Sequence, residues 1–336
     1  MSDLLRLAII GAGAVTQVAH LPVLKRTKGV EVVALADPDR PKARALADRF
    51  GIPDAFEGIE QVLDYESLDA LVICSPTHLH EGHILAALAA NLHVFCERPL
   101  AMNAASAARI VKAAEKKNKV VMVDMNHRYR ADAQLVRSFV QSGELGQVDS
   151  VRGSWHVFRP SRQQAPWRQR RDQSGGGALF DLGLAMLDLG VWLAGNPVPV
   201  RVSATWEKPA RDRGVERSGS AFVVCDNGAS IFFDVTWHHL GDGERFGMGL
   251  RAERGAASIN PLTVWKELHG VATDVSPKTS GSRENAWLTS HRAEWAHFLA
   301  VVAGKAKGTN LAEHVTLHRV MDAIYKSAED GRDVAL

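Results

Sequence analysis

The sequence has little cysteine and no cationic leader. Its 336 residues include three cysteines, Cys74, Cys96 and Cys225, which are far apart and form no C-x-x-C pair. We therefore expect reduced thiols and a cytoplasmic protein. No basic segment precedes the first apolar stretch, which runs directly into a glycine-rich turn. We interpret that stretch as a strand and not as a signal peptide.

Long apolar runs and excess charge of one sign are also lacking. No run approaches the roughly 18 apolar residues that a membrane span requires, so we expect no membrane partner. Forty basic against 38 acidic residues leave a formal net charge of +2, which is too small to indicate a nucleic-acid partner. The length favours two domains rather than one.

Short apolar runs alternate with helical patterns over the first 124 residues. Runs that are apolar throughout are typical of strands covered on both faces, as in a parallel sheet. Single helices between such strands imply right-handed crossovers. We predict an α/β fold whose N-terminal domain, residues 1–124, is a doubly wound Rossmann sheet. The predicted strands are 4–10, 30–36, 70–74, 93–96 and 120–123.

Beyond residue 125 consecutive strands dominate. Alternation and β-branched residues predict strands over 148–157, 200–206, 221–226, 230–237 and 257–259. Asp226, Asn227 and Gly228 predict a hairpin turn between two of them. We predict a C-terminal α+β domain, residues 125–336, with a mostly antiparallel open sheet. This domain is expected to bind substrate and to mediate oligomer formation.

A glycine-rich turn follows the first predicted strand. It reads Gly11-Ala12-Gly13-Ala14-Val15-Thr16, a G-x-G-x-x-T pattern without the usual third glycine. The first glycine permits the tight turn, and the second lets the backbone approach a pyrophosphate that rests on the helix N-terminus. Its position between strand and helix favours a dinucleotide site over a simple turn. The predicted contacts are Gly11, Gly13, Ala14 and Val15.

Asp37, at the end of the second strand, predicts which dinucleotide binds. A carboxylate there can accept hydrogen bonds from ribose hydroxyls and repels a 2′-phosphate. Arg40 is the only nearby cation that the sequence suggests. We therefore predict that the cofactor is NAD rather than NADP.

Several longer motifs add to this pattern. They are GAGAVTQVAHLP at the start, SPTHLHEGHILAALAANLHVFCERPLA in the centre and SGGGALFDLGLAMLDLGVWLAG later. With them the chain resembles the glucose–fructose oxidoreductase / inositol dehydrogenase / MocA (Gfo/Idh/MocA) family. The resemblance implies the two-domain fold and an NAD-dependent oxidoreductase. It leaves the substrate open, because members act on sugars, polyols, pyrroles and dihydrodiols.

The resemblance assigns further cofactor contacts. Ser75, Thr77 and His80 fall in a loop that covers the dinucleotide in this family. Glu97, Arg98 and Pro99 match its E-K-P motif, whose lysine lies beside the nicotinamide and whose proline is often cis. Asn126 is expected to contact cofactor or substrate. His78, His80 and His83 lack the carboxylates and cysteines of a metal site, so we predict none there.

Two departures from the family concern catalysis. Asp181 and Ala185 fall on the family's D-x-x-x-H, whose histidine accepts the proton, and Arg98 replaces its lysine. Arginine stays charged and cannot act as a general base, although it can stabilise an alkoxide or hold a carboxylate. We assign the catalytic roles to Arg98 and Asp181. Arg168 is expected to bind substrate, and His156, His238 and Tyr129 are alternative substrate contacts and proton acceptors.

The sequence thus predicts hydride transfer between NAD and a sugar-like or other polar small molecule, including an anionic one. Two alternatives follow from Ala185 and Arg98: a cofactor-binding sensor without redox turnover, or an NAD-assisted elimination or glycoside cleavage. We also expect a homodimer or homotetramer joined sheet to sheet. The predicted contacts of that interface are Trp206, Phe222, Phe232 and Trp237.

Overall fold

The computed structural model describes residues 4–208, 214–277 and 285–336. The chain divides into two compact units. The first contains the residues up to Asn126 and also Trp287–Val315, and the second contains His127–Ala286 and Thr316–Leu336. This differs from the predicted domain 125–336, because the segment 287–315 returns to the first unit. The buried Trp295 in that segment stacks on Phe95 with ring centroids 4.1 Å apart.

The first unit is built on a six-stranded parallel sheet in the order β3-β2-β1-β4-β5-β6. Direction along the sheet reverses between β1 and β4, and dinucleotides bind at such a switch point. The Rossmann prediction is therefore confirmed. The strands are β1 (Leu5–Ile10), β2 (Val30–Ala36), β3 (Asp54–Phe56), β4 (Ala70–Ile73), β5 (His93–Cys96) and β6 (Val121–Val123).

Helices connect these strands, and local capping sets their ends. The first connection is a π turn, Thr16–His20, continued by α1 (Leu21–Leu24). It is followed by α2 (Arg40–Phe50), α3 (Ile59–Leu63), α4 (Thr77–Ala89) and α5 (Ala104–Lys117). The Asp39 side chain accepts a hydrogen bond from the Lys42 amide and starts α2, which ends at Gly51 with φ +62°.

The second unit contains a nine-stranded sheet in the order β14-β13-β12-β11-β7-β10-β9-β8-β15. Only β7 and β10 pair in parallel, so the predicted mostly antiparallel sheet is confirmed. Its strands are β7 (Val148–His156), β8 (Pro199–Trp206), β9 (Ser218–Cys225), β10 (Ser230–Thr236), β11 (Arg245–Ala252), β12 (Gly255–Ile259), β13 (Thr263–Leu268), β14 (Val271–Asp274) and β15 (Val334–Ala335).

Helices cover one face of this sheet. The helices on this face are α6 (Ala131–Gln141), α7 (Arg171–Ser174) and α8 (Leu184–Leu193). Two further helices, α9 (Ala286–Val302) and α10 (Ala312–Asp330), close the polypeptide chain. A π turn, Leu179–Gly183, leads into α8. A Cβ at Gly183 would lie 3.0 Å from the Phe233 ring, and one at Gly190 would lie 2.8 Å from Ile231. We call the side bearing Phe233 and Ile231 the covered face and the other side the open face.

The four aromatic residues predicted for the oligomer interface separate between these faces. Phe222 and Phe232 pair directly across β9 and β10 and are 40% and 36% exposed. Trp237 is buried, and Trp206 packs edge-on against Tyr325. The prediction for the two tryptophans was wrong because strand alternation turns both of them towards the covered face.

The stretch Arg171–Leu193 is long and apolar enough to span a membrane, which the search for apolar runs in the sequence did not find. Its most apolar window is 83% buried inside the protein. That burial is typical of the core helix of a folded domain. The small residues Gly183 and Gly190 let this helix approach the sheet closely. Its burial explains its apolar composition.

Candidate active site

The turn after β1 fits a dinucleotide pyrophosphate. Gly11 has φ +105°, and a Cβ there would lie 2.5 Å from the carbonyl oxygen of Cys74. No atom of the described residues lies within 4 Å of a Cβ built at Gly13, so a ligand could approach this backbone. Thr16 Oγ1 donates to the Gly11 carbonyl at 2.6 Å and closes the turn. Ala14 and Val15 already have helical conformation, which presents amides to an anion.

Asp37 lies beside this turn and accepts several donors. Its Oδ2 accepts the Ala12 amide at 2.8 Å, and its Oδ1 accepts the Asp39 amide at 3.0 Å. Lys42 Nζ lies 2.9 Å from the same Oδ1. The sequence suggested Arg40 as the nearby cation, whereas the structure shows Lys42 paired with the carboxylate. Helix α2 turns Lys42 back towards the end of β2. Sequence spacing alone did not reveal the resulting contact with Asp37.

The loop after β4 carries three more predicted cofactor contacts. Ser75 Oγ lies 2.9 Å from His83 Nδ1, and Thr77 begins α4. His80 Nδ1 and Nε2 lie 2.7 Å and 2.9 Å from the carbonyl oxygens of Pro99 and Ser75. Burial lowers the pKa of His80, so a neutral ring donates to one of these carbonyls. Both nitrogens face backbone carbonyl oxygens, so His80 braces two loops. Its predicted contact with the cofactor stays a prediction.

Glu97 and Arg98 follow β5 at the same edge of the sheet. The Glu97 amide donates to the Ile73 carbonyl at 2.8 Å, and its carboxylate Oε1 lies 2.8 Å from His20 Nε2. Both residues are partly exposed. The Arg98–Pro99 peptide bond is cis, as the resemblance implied.

Asn126 and Tyr129 lie in one 3₁₀ turn, Asn126–Tyr129. Asn126 is buried, its side-chain amide donates to Ser290 Oγ at 3.0 Å, and its backbone amide donates to Asp124 Oδ1 at 3.2 Å. These bonds account for its burial within the first unit. Its predicted contacts with cofactor and substrate stay predictions, as does the role of the partly exposed Tyr129.

In the second unit Asp181 is the centre of a charged cluster. Arg159 donates to its Oδ2 in a short contact, Trp237 Nε1 donates to the same oxygen at 3.0 Å, and Arg168 donates to Oδ1 at 3.3 Å. The structure thus brings the predicted Asp181 and Arg168 together. Arg170 pairs instead with Asp172. Two guanidinium groups against one carboxylate leave the cluster with a net positive charge.

The two candidate histidines of the sheet lie elsewhere in this unit. His156 forms a short contact with Asp234, and His238 is exposed. Both alternate with covered-face residues and therefore belong to the open face, whereas Asp181 bonds to Trp237 on the covered face. The structure does not group His156 or His238 with Asp181, contrary to the prediction that either could replace the missing proton acceptor.

Comparison with known proteins identifies the family. Residues 5–125 match the model of the oxidoreductase family with an NAD-binding Rossmann fold, and residues 133–255 match the GFO/IDH/MocA C-terminal domain. The chain belongs to the Gfo/Idh/MocA oxidoreductase family. The family's NAD-binding domain is the one whose turn, strand-end carboxylate and switch point are described above.

Relatives of known activity align along the whole chain. D-glucoside 3-dehydrogenase of Escherichia coli strain K12 is 28% identical over 363 residues, covering 100% of this chain and 98% of that protein. Levoglucosan dehydrogenase in complex with NADH and levoglucosan has a TM-score of 0.89 at 20% identity, and each chain is covered to 99%. The WlbA dehydrogenase of Bordetella pertussis, in complex with NADH and UDP-GlcNAcA, has a TM-score of 0.87 at 23% identity, covering 100% and 99%. This Gfo/Idh/MocA member is therefore an NAD-binding oxidoreductase of the sugar-type family.

A buried cluster in this Gfo/Idh/MocA protein has the composition of a cation site. Ligand atoms of His20, Asp124 and His291 lie within 4.8 Å of one another. Burial would raise the pKa of Asp124, but His291 and His20 outweigh it and hold that pKa well below its usual range. Burial and the neighbouring Asp124 raise the pKa of Glu294. The two pKa shifts have opposite directions, which favours the ionised form of Asp124 and the protonated form of Glu294.

Two functional contacts escaped the sequence reasoning. His20 pairs with Glu97 across 77 residues, and only the fold reveals that approach. Glu216 is buried and accepts hydrogen bonds from the Gly177 and Leu179 amides and the Tyr325 hydroxyl, each at 2.9 Å. This carboxylate caps the turn that leads to Asp181. The three consecutive glycines were the available signal, because a Cβ at Gly177 would overlap the Glu216 carbonyl oxygen.

Proposed function

We propose that this enzyme transfers hydride between NAD and a sugar-like substrate that carries a carboxylate or another acidic group. The observation that carries the proposal is the pairing of Arg159 and Arg168 on the single carboxylate of Asp181. One positive charge is left over, and an arginine fork can hold a substrate anion through two parallel hydrogen bonds. Arg98, in the first unit, is a permanently charged donor in place of the family lysine.

The same cluster makes a neutral sugar a poorer substrate for oxidation. Oδ2 of Asp181 accepts hydrogen bonds from Arg159 and Trp237, and Oδ1 accepts one from Arg168, so these donors compete with a substrate hydroxyl for the carboxylate. Ala185 is buried in α8 and exchanges no proton. A general base typically contributes about 10²–10⁴-fold to the rate. Reduction of a carbonyl needs a proton donor in place of that base. Arg98 suits the developing alkoxide, whose proton would come from Tyr129 or from water.

Roles for the remaining predicted residues follow from this proposal. Gly11, Gly13, Ala14, Val15 and Asp37 bind the phosphates and the adenosine ribose of NAD. Ser75, Thr77, Glu97 and Asn126 bind its nicotinamide half. Arg168 binds the substrate anion, Asp181 orients the arginines, and Tyr129 is the remaining candidate for proton exchange.

We further propose a cytoplasmic homo-oligomer joined through the open face of the nine-stranded sheet. Phe222 and Phe232 form an exposed cross-strand pair on β9 and β10. Large exposed apolar side chains side by side on an open sheet favour burial against a second copy of that sheet.

Replacing single arginines tests the substrate class. Arg168→Gln should lower kcat/KM for an acidic sugar by about 10- to 100-fold, because hydrogen bonds to charged groups contribute about 1.5–3 kcal/mol. It should change kcat/KM for the matching neutral sugar by less than about threefold. NADH absorbance during turnover of a sugar acid and its neutral analogue provides the measurement.

Arg170→Gln is the matched control, because Arg170 belongs to the same loop but pairs with the exposed Asp172. It should leave both substrates unaffected. A loss of the same size for acidic and neutral substrates in Arg168→Gln would count against the anion site. Product formation without net change in NADH would instead support NAD-assisted elimination.

A further inference from the structure

The imidazole of His20 is fully buried beneath the cofactor-binding edge of the first unit. It ends the π turn Thr16–His20 in the helix that follows the dinucleotide turn. Its ring meets those of Phe95 and Trp295 edge-on, with centroids 5.7 Å and 5.8 Å away. A single-turn π segment inside a helix is frequent at functional sites, since the extra residue redirects one side chain. Here His20 is the last residue of that segment.

The partners of this ring determine where its proton lies. Trp295 Nε1 lies 3.2 Å from His20 Nδ1, and an indole nitrogen can only donate. Nδ1 therefore accepts, and the proton of the neutral ring lies on Nε2. That N–H donates to Glu97 Oε1 at 2.8 Å. The bonds form a directed chain from Trp295 through His20 to Glu97.

The same proton position argues against a cation at His20. A metal ion would need the lone pair of Nε2, which instead carries a hydrogen towards Glu97. Four titratable groups face the ring: Cys74, Glu97, Asp124 and His291. Burial lowers the pKa of His20, but Cys74 and Glu97 outweigh it and raise that pKa. A second proton would enter at Nδ1, towards which the Trp295 N–H points. The indole thus opposes protonation of His20.

This chain of hydrogen bonds ends at the Glu97 carboxylate, which a ligand can reach. The His20 side chain is 0% exposed, whereas that of Glu97 is 13% exposed. Only one carboxylate oxygen is used by His20. Glu97 follows β5, whereas Asp37 follows β2, so the two carboxylates lie on opposite sides of the switch point between β1 and β4. A dinucleotide spans this point, and its adenosine half lies on the Asp37 side.

We propose that His20 is a positioning residue that presents the Glu97 carboxylate to the hydroxyls of the nicotinamide ribose, with Trp295 setting the tautomer. The imidazole holds one oxygen of Glu97 and orients the other towards the ligand. This inference rests on NAD binding and not on the proposed substrate class. His20 and Trp295 are both 0% exposed, so both would act on the cofactor through Glu97.

Binding of NADH and of ADP to the same variants tests the proposal without turnover. ADP contains only the adenosine half, so loss of the chain should weaken NADH alone. His20→Leu and Glu97→Gln should each raise the Kd of NADH about tenfold and leave the Kd of ADP within about twofold. The double variant should bind NADH no more weakly than Glu97→Gln, because both changes remove one chain. Titration calorimetry measures all of these affinities.

Conservative variants separate positioning from packing. His20→Gln should bind NADH within about threefold of the natural protein, because a glutamine amide N–H can replace Nε2–H. Trp295→Phe keeps an aromatic ring but removes the donor to His20 Nδ1, and it should raise the Kd of NADH about threefold. His93→Gln, at the far end of β5, is the matched control and should change neither affinity.

Three results would overturn the inference. Equal weakening of NADH and ADP in the folded variants would show a general structural role. An unchanged Kd of NADH in Trp295→Phe would show that the indole plays no part in presenting Glu97. If His20→Leu does not fold, His20→Gln decides, because equal weakening of NADH and ADP binding in that variant would show a structural role and not a positioning one.

Discussion

At the scale of single residues, we expect Asp37 and Lys42 to control the choice of cofactor. Asp37 should accept ribose hydroxyls and repel a 2′-phosphate, while the half-exposed Lys42 partly offsets that repulsion. We expect NADH to bind about tenfold more tightly than NADPH, a difference of about 1.4 kcal/mol. Titration calorimetry with both cofactors provides the measurement. Equal affinities would contradict the assignment of Asp37.

Lys42→Gln tests the contribution of the cation. This substitution should raise the Kd of NADPH by up to about fivefold, because an exposed charge pair contributes about 0.2–1 kcal/mol. NADH should be nearly unaffected. Lys28→Gln, at an exposed site before β2, is the matched control and should change neither affinity. A parallel loss of both cofactors in Lys42→Gln would show that Lys42 only stabilises the fold.

The residues that the sequence could reveal are those with local signals. Gly11 and Asp37 have fixed positions after a strand, and the E-R-P motif marks the Arg98–Pro99 bond. His20, Trp295 and Glu216 act through contacts over tens to hundreds of residues, which depend on packing rather than spacing. His80 was assigned by its position in a loop, and only the structure shows that backbone carbonyls engage both of its nitrogens.

At the scale of elements, the turn before Asp181 depends on Glu216. A methyl group at Gly177 would overlap the Glu216 carbonyl oxygen, so Gly177→Ala must displace backbone. We expect it to lower the free energy of unfolding by roughly 1–3 kcal/mol, as for an overpacked core. Urea denaturation measures this change.

A second glycine provides the control for that experiment. Gly82 lies in α4, and no atom of the described residues comes within 4 Å of a Cβ built there. Gly82→Ala should therefore stabilise the protein by about 0.5–1 kcal/mol through helix propensity. A Gly177→Ala variant as stable as the natural protein would show that the turn tolerates a side chain.

Helices and strands with a clear hydrophobic pattern in the sequence were predicted. Strands that form only because neighbouring strands pair with them were not. The strands β1, β2, β4 and β5 are largely apolar, with charged residues only near the starts of β1 (Arg6) and β2 (Glu31), and their bounds agree with the prediction within one residue. Strand β11 contains Gly247 and Gly249, which weaken strand propensity, and it exists because β7 and β12 pair with it. The periodicity of α9 predicted a helix but could not show which core that helix joins.

At the scale of the whole molecule, the open sheet face should control assembly. Phe232→Glu places a charge in the middle of the exposed phenylalanine pair and should dissociate the oligomer into a 36.5 kDa species. Leu240→Glu, at a 75% exposed position outside the strands, is the control and should leave the assembly unchanged. Light scattering at micromolar concentration distinguishes the states. A natural protein that is already monomeric there would contradict the proposed oligomer.

The central claim is that Arg98, Asp181 and its arginines suit an acidic substrate rather than a neutral hexose. The most direct test is kcat/KM for matched pairs of neutral sugars and sugar acids, in both directions, followed by NADH absorbance near pH 7. We expect the acidic member to exceed its neutral partner by at least about tenfold and the reduction to be favoured. Brisk oxidation of a neutral hexose, as fast as that of its acid and unchanged in Tyr129→Phe, would contradict the account.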